Sequence, residues 1–342
     1  MLLRARFVNG TVYIRSIPYT VKDSIVDVPE ELALGLVLGG NYAPKARYKN
    51  LTNKCKKILI IRGSGLGDVL MCHPIRKLIK KRYPGIEIHF ATDKKYSSTL
   101  FGDDTADRVF DHGYSLSFVR RGKYDYITNL NNVEFGNNLI SNVHKIDLLA
   151  RMAGVTNFVK DKQLFYKVKE EEVEWAKSQT GENTTNRWVA FVLESSCEVK
   201  HIKTMLAIKI IRGLVENGVK VFLFDKKRKL GKAICASVKS QDCVNCCGCY
   251  NVRECAAIIS SCNLVFTPDT GFLHLGIALR KKVLAYFGAM GSHLVLTPGD
   301  VEVIRRKEVD CQPCNRFTCV NGRVDCLKFN PDHMIDRILA SL

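Results

Sequence analysis

The stretch Ile58-Leu59-Ile60-Ile61-Arg62-Gly63-Ser64-Gly65-Leu66-Gly67-Asp68-Val69-Leu70 decides the fold. Ile58–Arg62 is a short apolar run suited to a strand buried on both faces, Gly63–Gly67 is a glycine-rich turn, and Val69–Tyr83 repeats its apolar residues at helical spacing. With Ile86–Ala91 as the next strand, this is a βαβ unit. Further strands are expected at Tyr124–Thr128, Trp188–Leu193, Val219–Phe224, Asn263–Thr267 and Val283–Phe287. Helical stretches alternate with them near Ile140–Ala153, Thr204–Asn217, Val252–Ser261 and Gly271–Leu279. Such alternation implies parallel sheets covered by helices on both faces, and 342 residues suffice for two of them. The polar, acid-rich Lys169–Arg187 is the expected boundary. Residues 1 to about 55 read as an appended element, with a β-hairpin over Ala5–Ile17 turning at Asn9-Gly10 and a short helix over Leu32–Leu38.

Composition narrows the class. The chain is 46 % hydrophobic and 25 % charged, values of a globular protein, which excludes a disordered or collagen-like one. It contains no apolar run long enough for a transmembrane segment and no signal-peptide pattern at Met1–Arg6, so a cytoplasmic protein is expected. The 52 Lys and Arg outnumber the 34 Asp and Glu by 18, which points to an anionic partner: an acidic substrate, a membrane surface or nucleic acid. Fourteen cysteines in a chain of this length and without a leader are expected to be thiols, most of them packed as small hydrophobes.

Two turns carry candidate chemistry. Gly63, Ser64, Gly65 and Gly67 follow a strand and open a helix, where backbone N–H groups can face an anion. The dinucleotide fingerprint Gly-x-Gly-x-x-Gly is not met, because the third glycine arrives one residue early and Asp68 takes its place. Asp93, after the second strand, keeps a nicotinamide-dinucleotide reading open. Asp68 reads either as a complement to the helix dipole or, in a cleft, as a proton acceptor. In the second turn, Pro268-Asp269-Thr270-Gly271-Phe272-Leu273-His274, Asp and Thr stand at capping positions. That turn is either an ordinary N-cap or a diphosphate site, with His274 one turn further along.

Ile58–Arg62 followed by Gly67-Asp68-Val69-Leu70 and Pro74, together with Asp269-Thr270-Gly271 and His274-Leu275, resembles glycosyltransferase family 9, the ADP-heptose:lipopolysaccharide heptosyltransferase-like enzymes. The tail, with Cys311-Gln312-Pro313-Cys314, Cys319, Cys326 and a final stretch Pro331–Leu342, is similar to the end of many members. The resemblance spans roughly residues 56–342. It implies an α/β chain of GT-B architecture, two Rossmann-like domains facing across a cleft; the small N-terminal hairpin and helix extension read above lies outside the family pattern. On that basis the domains are residues 1–55 (extension), 56–170 (acceptor side), 188–330 (nucleotide-sugar side) and 331–342 (C-terminal helix).

The resemblance implies inverting, metal-independent transfer of heptose or a similar sugar from a nucleoside-diphosphate sugar, an ADP-sugar in this family. Asp68 matches the general base. Asp269, Thr270, Gly271 and His274 match the donor segment, and Lys200, in Glu198-Val199-Lys200-His201, falls where the family pairs a lysine with the phosphates. No Asp-x-Asp appears in the sequence, in keeping with a reaction that needs no metal cofactor. The loop Gly63–Gly67 then belongs to the acceptor side. The acceptor is a lipopolysaccharide-type saccharide or, given the charge, a modified nucleic acid, and the enzyme would sit in the cytoplasm or at the inner membrane face.

Two departures stand out: Asp225-Lys226-Lys227-Arg228-Lys229 follows Val219–Phe224 where the family has a small glycine-rich turn, and Lys200-His201-Ile202-Lys203 only partly matches Lys-Arg-Trp-Pro. Cys311, Cys314, Cys319 and Cys326 have spacing compatible with a structural zinc site. Cys243, Cys246, Cys247, Cys249 and Cys255 read as unconnected thiols in a turn before a helix, with a second zinc site or an iron–sulfur ligand set as the alternative. The competing reading of the whole chain is an inactive protein of the same fold that binds nucleic acid.

Overall fold

The structure, a computed structural model, describes residues 50–63, 65–111, 124–131, 143–156, 158–193 and 197–342, together with the backbone of five short strands before residue 50. Those strands are β1 (Leu2–Arg4), β2 (Gly10–Ile14), β3 (Ile17–Lys22), β4 (Ile25–Asp27) and β5 (Ala43–Pro44), in antiparallel order β2-β3-β4-β1-β5. Gly10 opens β2 opposite Val21, and Ile14 faces Ile17, so β2 forms a hairpin with the β-branched and aromatic run after it; the first arm of the expected Ala5–Ile17 hairpin, residues 5–9, lies outside the described residues. The expected helix over Leu32–Leu38 lies outside the described residues.

The chain divides into two compact units, residues 1–134 with 145–161, and residues 135–144 with 162–342. The first contains β6 (Lys57–Ile61), α1 (Leu66–Met71), α2 (His73–Arg82), β7 (Glu87–Thr92), α3 (Lys94–Ser97), β8 (Arg108–Asp111), β9 (Tyr126–Asn129) and α4 (Lys145–Met152). Its four strands are parallel, in the order β8-β7-β6-β9, with Ile58, Ile60 and Ile61 wholly buried at the centre. The helix expected over Val69–Tyr83 is two helices meeting at Cys72. Pro74 has no N–H to give to Leu70, so the ladder is interrupted there and restarts with Arg76 N donating to Cys72 O.

A buried polar group locks α2 in place. Arg76, 1 % exposed, stacks 4.5 Å from the Phe90 ring centre and donates to Asp103 (2.5 Å) and Thr105 (3.1 Å), while His73 Nδ1 lies 3.1 Å from Asp103 Oδ2. Burial alone would raise the Asp103 pKa, but the charge of Arg76 and the hydrogen bonds from His73 and Thr105 hold it well below the usual carboxylate range.

The second unit contains α5 (Glu170–Thr180), β10 (Trp188–Val192), a 3-10 turn (Glu198–Lys200), α6 (Thr204–Glu216), β11 (Lys220–Phe224), α7 (Arg228–Val238) and β12 (Cys243–Asn245). It continues with α8 (Val252–Ser261), β13 (Leu264–Pro268), α9 (Gly271–Ala278), β14 (Lys282–Tyr286), β15 (Val301–Ile304) and α10 (Pro331–Ala340). Six parallel strands run β12-β11-β10-β13-β14-β15, and Phe191, Phe266 and Tyr286 line one another across adjacent strands. Alpha-10 closes the core with Met334 and Ile338, both wholly buried, and Gly213 of α6 leaves room for Ile335.

The elements that escape the hydrophobic pattern include α3, β8 and β15 and three in the second unit whose residues explain the miss. The acid-rich stretch read as a boundary is α5, whose Glu172 accepts from Lys169 N (2.9 Å) and from Arg253 Nε on α8 (2.7 Å), so its acids are first-turn and pairing residues. The helix α7 begins in a run of cations, and β12 is a three-residue edge strand within the cysteine-rich turn. Among the described residues no helix is long and apolar enough to cross a membrane.

Replacing Asp103 by Asn leaves Arg76 buried without its counter-charge and is expected to cost about 3–5 kcal/mol at pH 7 in denaturant unfolding. Because the Asp103 pKa is lowered on folding, the stability it contributes is complete above the unfolded value of about 3.9 and is lost as pH falls below it. The gap between wild type and variant should therefore narrow below about pH 4; a gap independent of pH would show that Asp103 is not the linked group. Ile338→Ala, which empties a wholly buried site, should cost about 2–5 kcal/mol by the same measurement.

Candidate functional site

Each parallel sheet carries a polar group where its strands end, the usual ligand edge of an open α/β sheet. In the first unit, β6 runs into Arg62, whose side chain is 8 % exposed. Its Nη1 donates to Leu130 O (2.5 Å), just beyond β9, and its Nη2 is paired with Asp68 Oδ2. Lys145, the first residue of α4, pairs with the other oxygen, Asp68 Oδ1. The Asp68 side chain, 16 % exposed, is thus held at both oxygens by cations from different parts of the chain.

The loop is shaped around this carboxylate. Gly65 has φ +88°, and a Cβ there would lie 2.7 Å from Asp68 Oδ2, so both conformation and space demand glycine. Gly63 N donates to Asn131 Oδ1 (2.7 Å), while Gly63 O accepts from Thr92 Oγ1 (3.2 Å) and Asp93 N (2.9 Å). The segments following β6, β7 and β9 are thereby tied together. Gly67 lies buried in α1, and Ser64 lies outside the described residues. Cys72, whose Sγ donates to Asp68 O (3.3 Å), is a packing thiol, its pKa pushed up to about 11 by burial.

In the second unit, β13 delivers Asp269 and Thr270 to the start of α9. Thr270 is extended (φ −148°) and caps the helix, its Oγ1 accepting from Phe272 N at 3.5 Å. Gly271 is the first helical residue and His274, 4 % exposed, lies one turn on. Lys200, at the end of the 3-10 turn, donates to Asp269 Oδ2 at 2.6 Å, with side-chain exposures of 14 % and 9 %. This joins residues 69 positions apart. Alpha-9 sits close on the sheet at Gly276, where a Cβ would lie 3.3 Å from Val265 and 3.2 Å from Val283, tighter than van der Waals contact.

Asp68 with its glycine loop therefore belongs to one unit, and Lys200, Asp269, Thr270, Gly271 and His274 to the other. Arg62 and Lys145 were not singled out from the sequence as functional. Arg62 stands inside the quoted strand-turn motif, where a cation ending an apolar strand is a usable signal; nothing local marks Lys145. Asp93 stands at the N-cap position of α3, donating its N–H to Gly63 O and ion-pairing with Lys95 at 3.5 Å.

The zinc expectation is not met. Among the described residues no group of three or more His, Cys, Asp or Glu side chains is placed to hold a metal ion. Cys326 is buried and its pKa is raised by burial and by the nearby Cys311, Cys314 and Cys319, so the four thiols share a neighbourhood. Cys319 accepts from backbone N–H groups of Asn321–Val324, Val324 foremost, and these lower its pKa.

Residues 123–324 match the sequence pattern of glycosyltransferase family 9 (heptosyltransferase), well over half of the chain. Lipopolysaccharide heptosyltransferase 1 of Campylobacter coli is 24 % identical over 293 residues, an alignment covering 69 % of this chain and 85 % of that protein. The structure is similar to that of E. coli ADP-heptose lps heptosyltransferase II, with a TM-score of 0.66 and 16 % identity over 83 % of this chain and 98 % of that one. It is equally similar to a glycosyltransferase family 9 protein of Veillonella parvula, with a TM-score of 0.66 and 16 % identity over 84 % and 97 % of the two chains. The fold is thus the α/β GT-B fold, and the chain, a glycosyltransferase, belongs to glycosyltransferase family 9.

Proposed function

We propose that this protein transfers heptose or a closely similar sugar from an ADP-sugar to a hydroxyl of a lipopolysaccharide-type saccharide, with inversion at the anomeric carbon and without a metal cofactor. The observation that carries this reading is the pair of polar groups at the strand ends: a carboxylate gripped at both oxygens in one unit, and a lysine anchored beside a capped helix N-terminus in the other. The Campylobacter relative and the E. coli structure, named for heptosyl transfer and ADP-heptose, supply the donor and acceptor class.

In this mechanism the acceptor oxygen attacks the anomeric carbon from the face opposite the diphosphate. The new C–O bond forms as the bond to the diphosphate oxygen breaks, and Asp68 takes the hydroxyl proton. Charge grows on the leaving diphosphate, so donors placed there stabilise the transition state more than the ground state. Lys200, the Thr270 hydroxyl and the Gly271 N–H are those donors. Asp269 acts on Lys200, holding the ammonium at the start of α9, and His274 lies buried one turn further along that helix. Arg62 and Lys145 position Asp68.

Thermal unfolding with a panel of nucleoside diphosphates tests the donor. ADP at about 100 times its Kd should add about 2.7 kcal/mol, and stabilisation by NAD with no response to any nucleoside diphosphate would overturn the reading. In transfer assays with ADP-heptose, Asp68→Asn should lower kcat by roughly 10²–10⁴-fold while ADP still stabilises the variant. Lys200→Ala should lower kcat by about 10²–10³-fold and weaken the ADP shift. Full activity in Asp68→Asn would remove that residue from proton transfer.

A further inference from the structure

The cysteine-rich turn of the second unit contains one pair unlike the rest. Cys235, in the last turn of α7, and Cys243, the first residue of β12, have their sulfurs 3.3 Å apart. We propose that these two thiols are an oxidation site, converted by hydrogen peroxide into a disulfide that clips α7 to the edge strand of the sheet.

The geometry suits the reaction. A disulfide needs sulfurs about 2.05 Å apart, so closure asks for little more than an ångström of side-chain rotation. The sulfurs already meet across the turn formed by residues 239–242. Cys235 is partly exposed and open to a small oxidant, whereas Cys243 is 6 % exposed and shielded from it. The two therefore have different roles. Cys235 is the attacking sulfur: a hydrogen bond from Cys243 lowers its pKa, outweighing burial. Cys243 keeps its proton, its pKa driven up by the hydrogen bond to Cys235 and then by burial. While protonated, Cys235 donates instead to Cys243 O, 3.2 Å away.

The neighbouring thiols lack this arrangement. Burial raises the pKa of Cys246, Cys247, Cys255 and Cys262, and the Cys247 Sγ donates to Leu223 O at 3.4 Å. Cys249 is exposed and donates to Cys247 O at 3.3 Å.

The chemistry balances in two steps. The Cys235 thiolate attacks one peroxide oxygen; an S–O bond forms, the O–O bond breaks, and hydroxide leaves with a proton as water. Cys243 sulfur then attacks the Cys235 sulfenic acid; the S–S bond forms, the S–O bond breaks, and the hydroxide departs with the Cys243 proton as a second water. Two thiols are oxidised by two electrons in all, and one peroxide is reduced.

The test uses the full chain, fully reduced, treated with equimolar hydrogen peroxide, alkylated under denaturing conditions and digested with trypsin. The expected product is Ala233–Lys239 joined to Ser240–Arg253, with alkyl groups on Cys246, Cys247 and Cys249 and a mass two hydrogens below the sum of the two peptides so alkylated. Fragment spectra of the wild-type product should place the bond at Cys243, and dithiothreitol should reverse it. The linked species should be lost in Cys235→Ser and Cys243→Ser and persist in Cys247→Ser. Cys235 recovered as a free thiol or as an unlinked sulfinic acid would overturn the proposal, as would a bond mapped to Cys246, Cys247 or Cys249. The fragment assignment needs no variant to fold.

Discussion

A guanidinium buried at the end of a parallel strand has to be neutralised, and the arrangement of the first unit follows from how Arg62 is satisfied. One arm of the group donates to the carbonyl just beyond β9, the other to Asp68 on α1. The first contact ties the turn after β6 to the end of its neighbour; the second brings the carboxylate back over its own loop. Gly65 is needed because that return leaves no space for a Cβ and calls for a positive φ. Lys145 then completes the grip from α4. A buried arginine with a single fixed partner would stabilise little by itself, since desolvation offsets the Coulombic gain. Here it positions the group to which the chemistry is assigned.

The second unit solves the same problem with the charges exchanged. A lysine is held by an aspartate at the start of a helix, and the helix is seated by a glycine that allows close approach to β13 and β14. The hydrophobic work is done beneath it by aromatic and β-branched residues stacked across parallel strands, which keep that edge of the sheet in place. In both units the polar groups sit where the strand ladders stop and the next backbone segments must turn.

The cysteines separate by environment rather than by spacing. Those buried in the core hold their protons because the thiolate is poorly solvated there. The tail thiols are near enough to repel one another's ionisation but are not arranged as a ligand set. Cys235 and Cys243 combine contact with unequal exposure. No regular spacing in the sequence announced that pair, since neighbouring cysteines in the same turn look alike as letters.

The sequence by itself determined the alternation of apolar strands and amphipathic helices, the parallel sheets that alternation requires, and the family, through Gly67-Asp68 and Asp269-Thr270-Gly271. These are local patterns, set by side-chain periodicity and by turns that only a few residue types can make. It did not reveal that the acid-rich stretch is a helix bound to α8, because Glu172 is explained only by Arg253 across space. Nor did it reveal that Asp68 is clasped by Lys145, that Lys200 meets Asp269, or that the tail cysteines stop short of a closed site. Those were decided by tertiary structure alone, because parallel strands need long crossovers, and crossovers bring together side chains whose separation along the chain carries no signal.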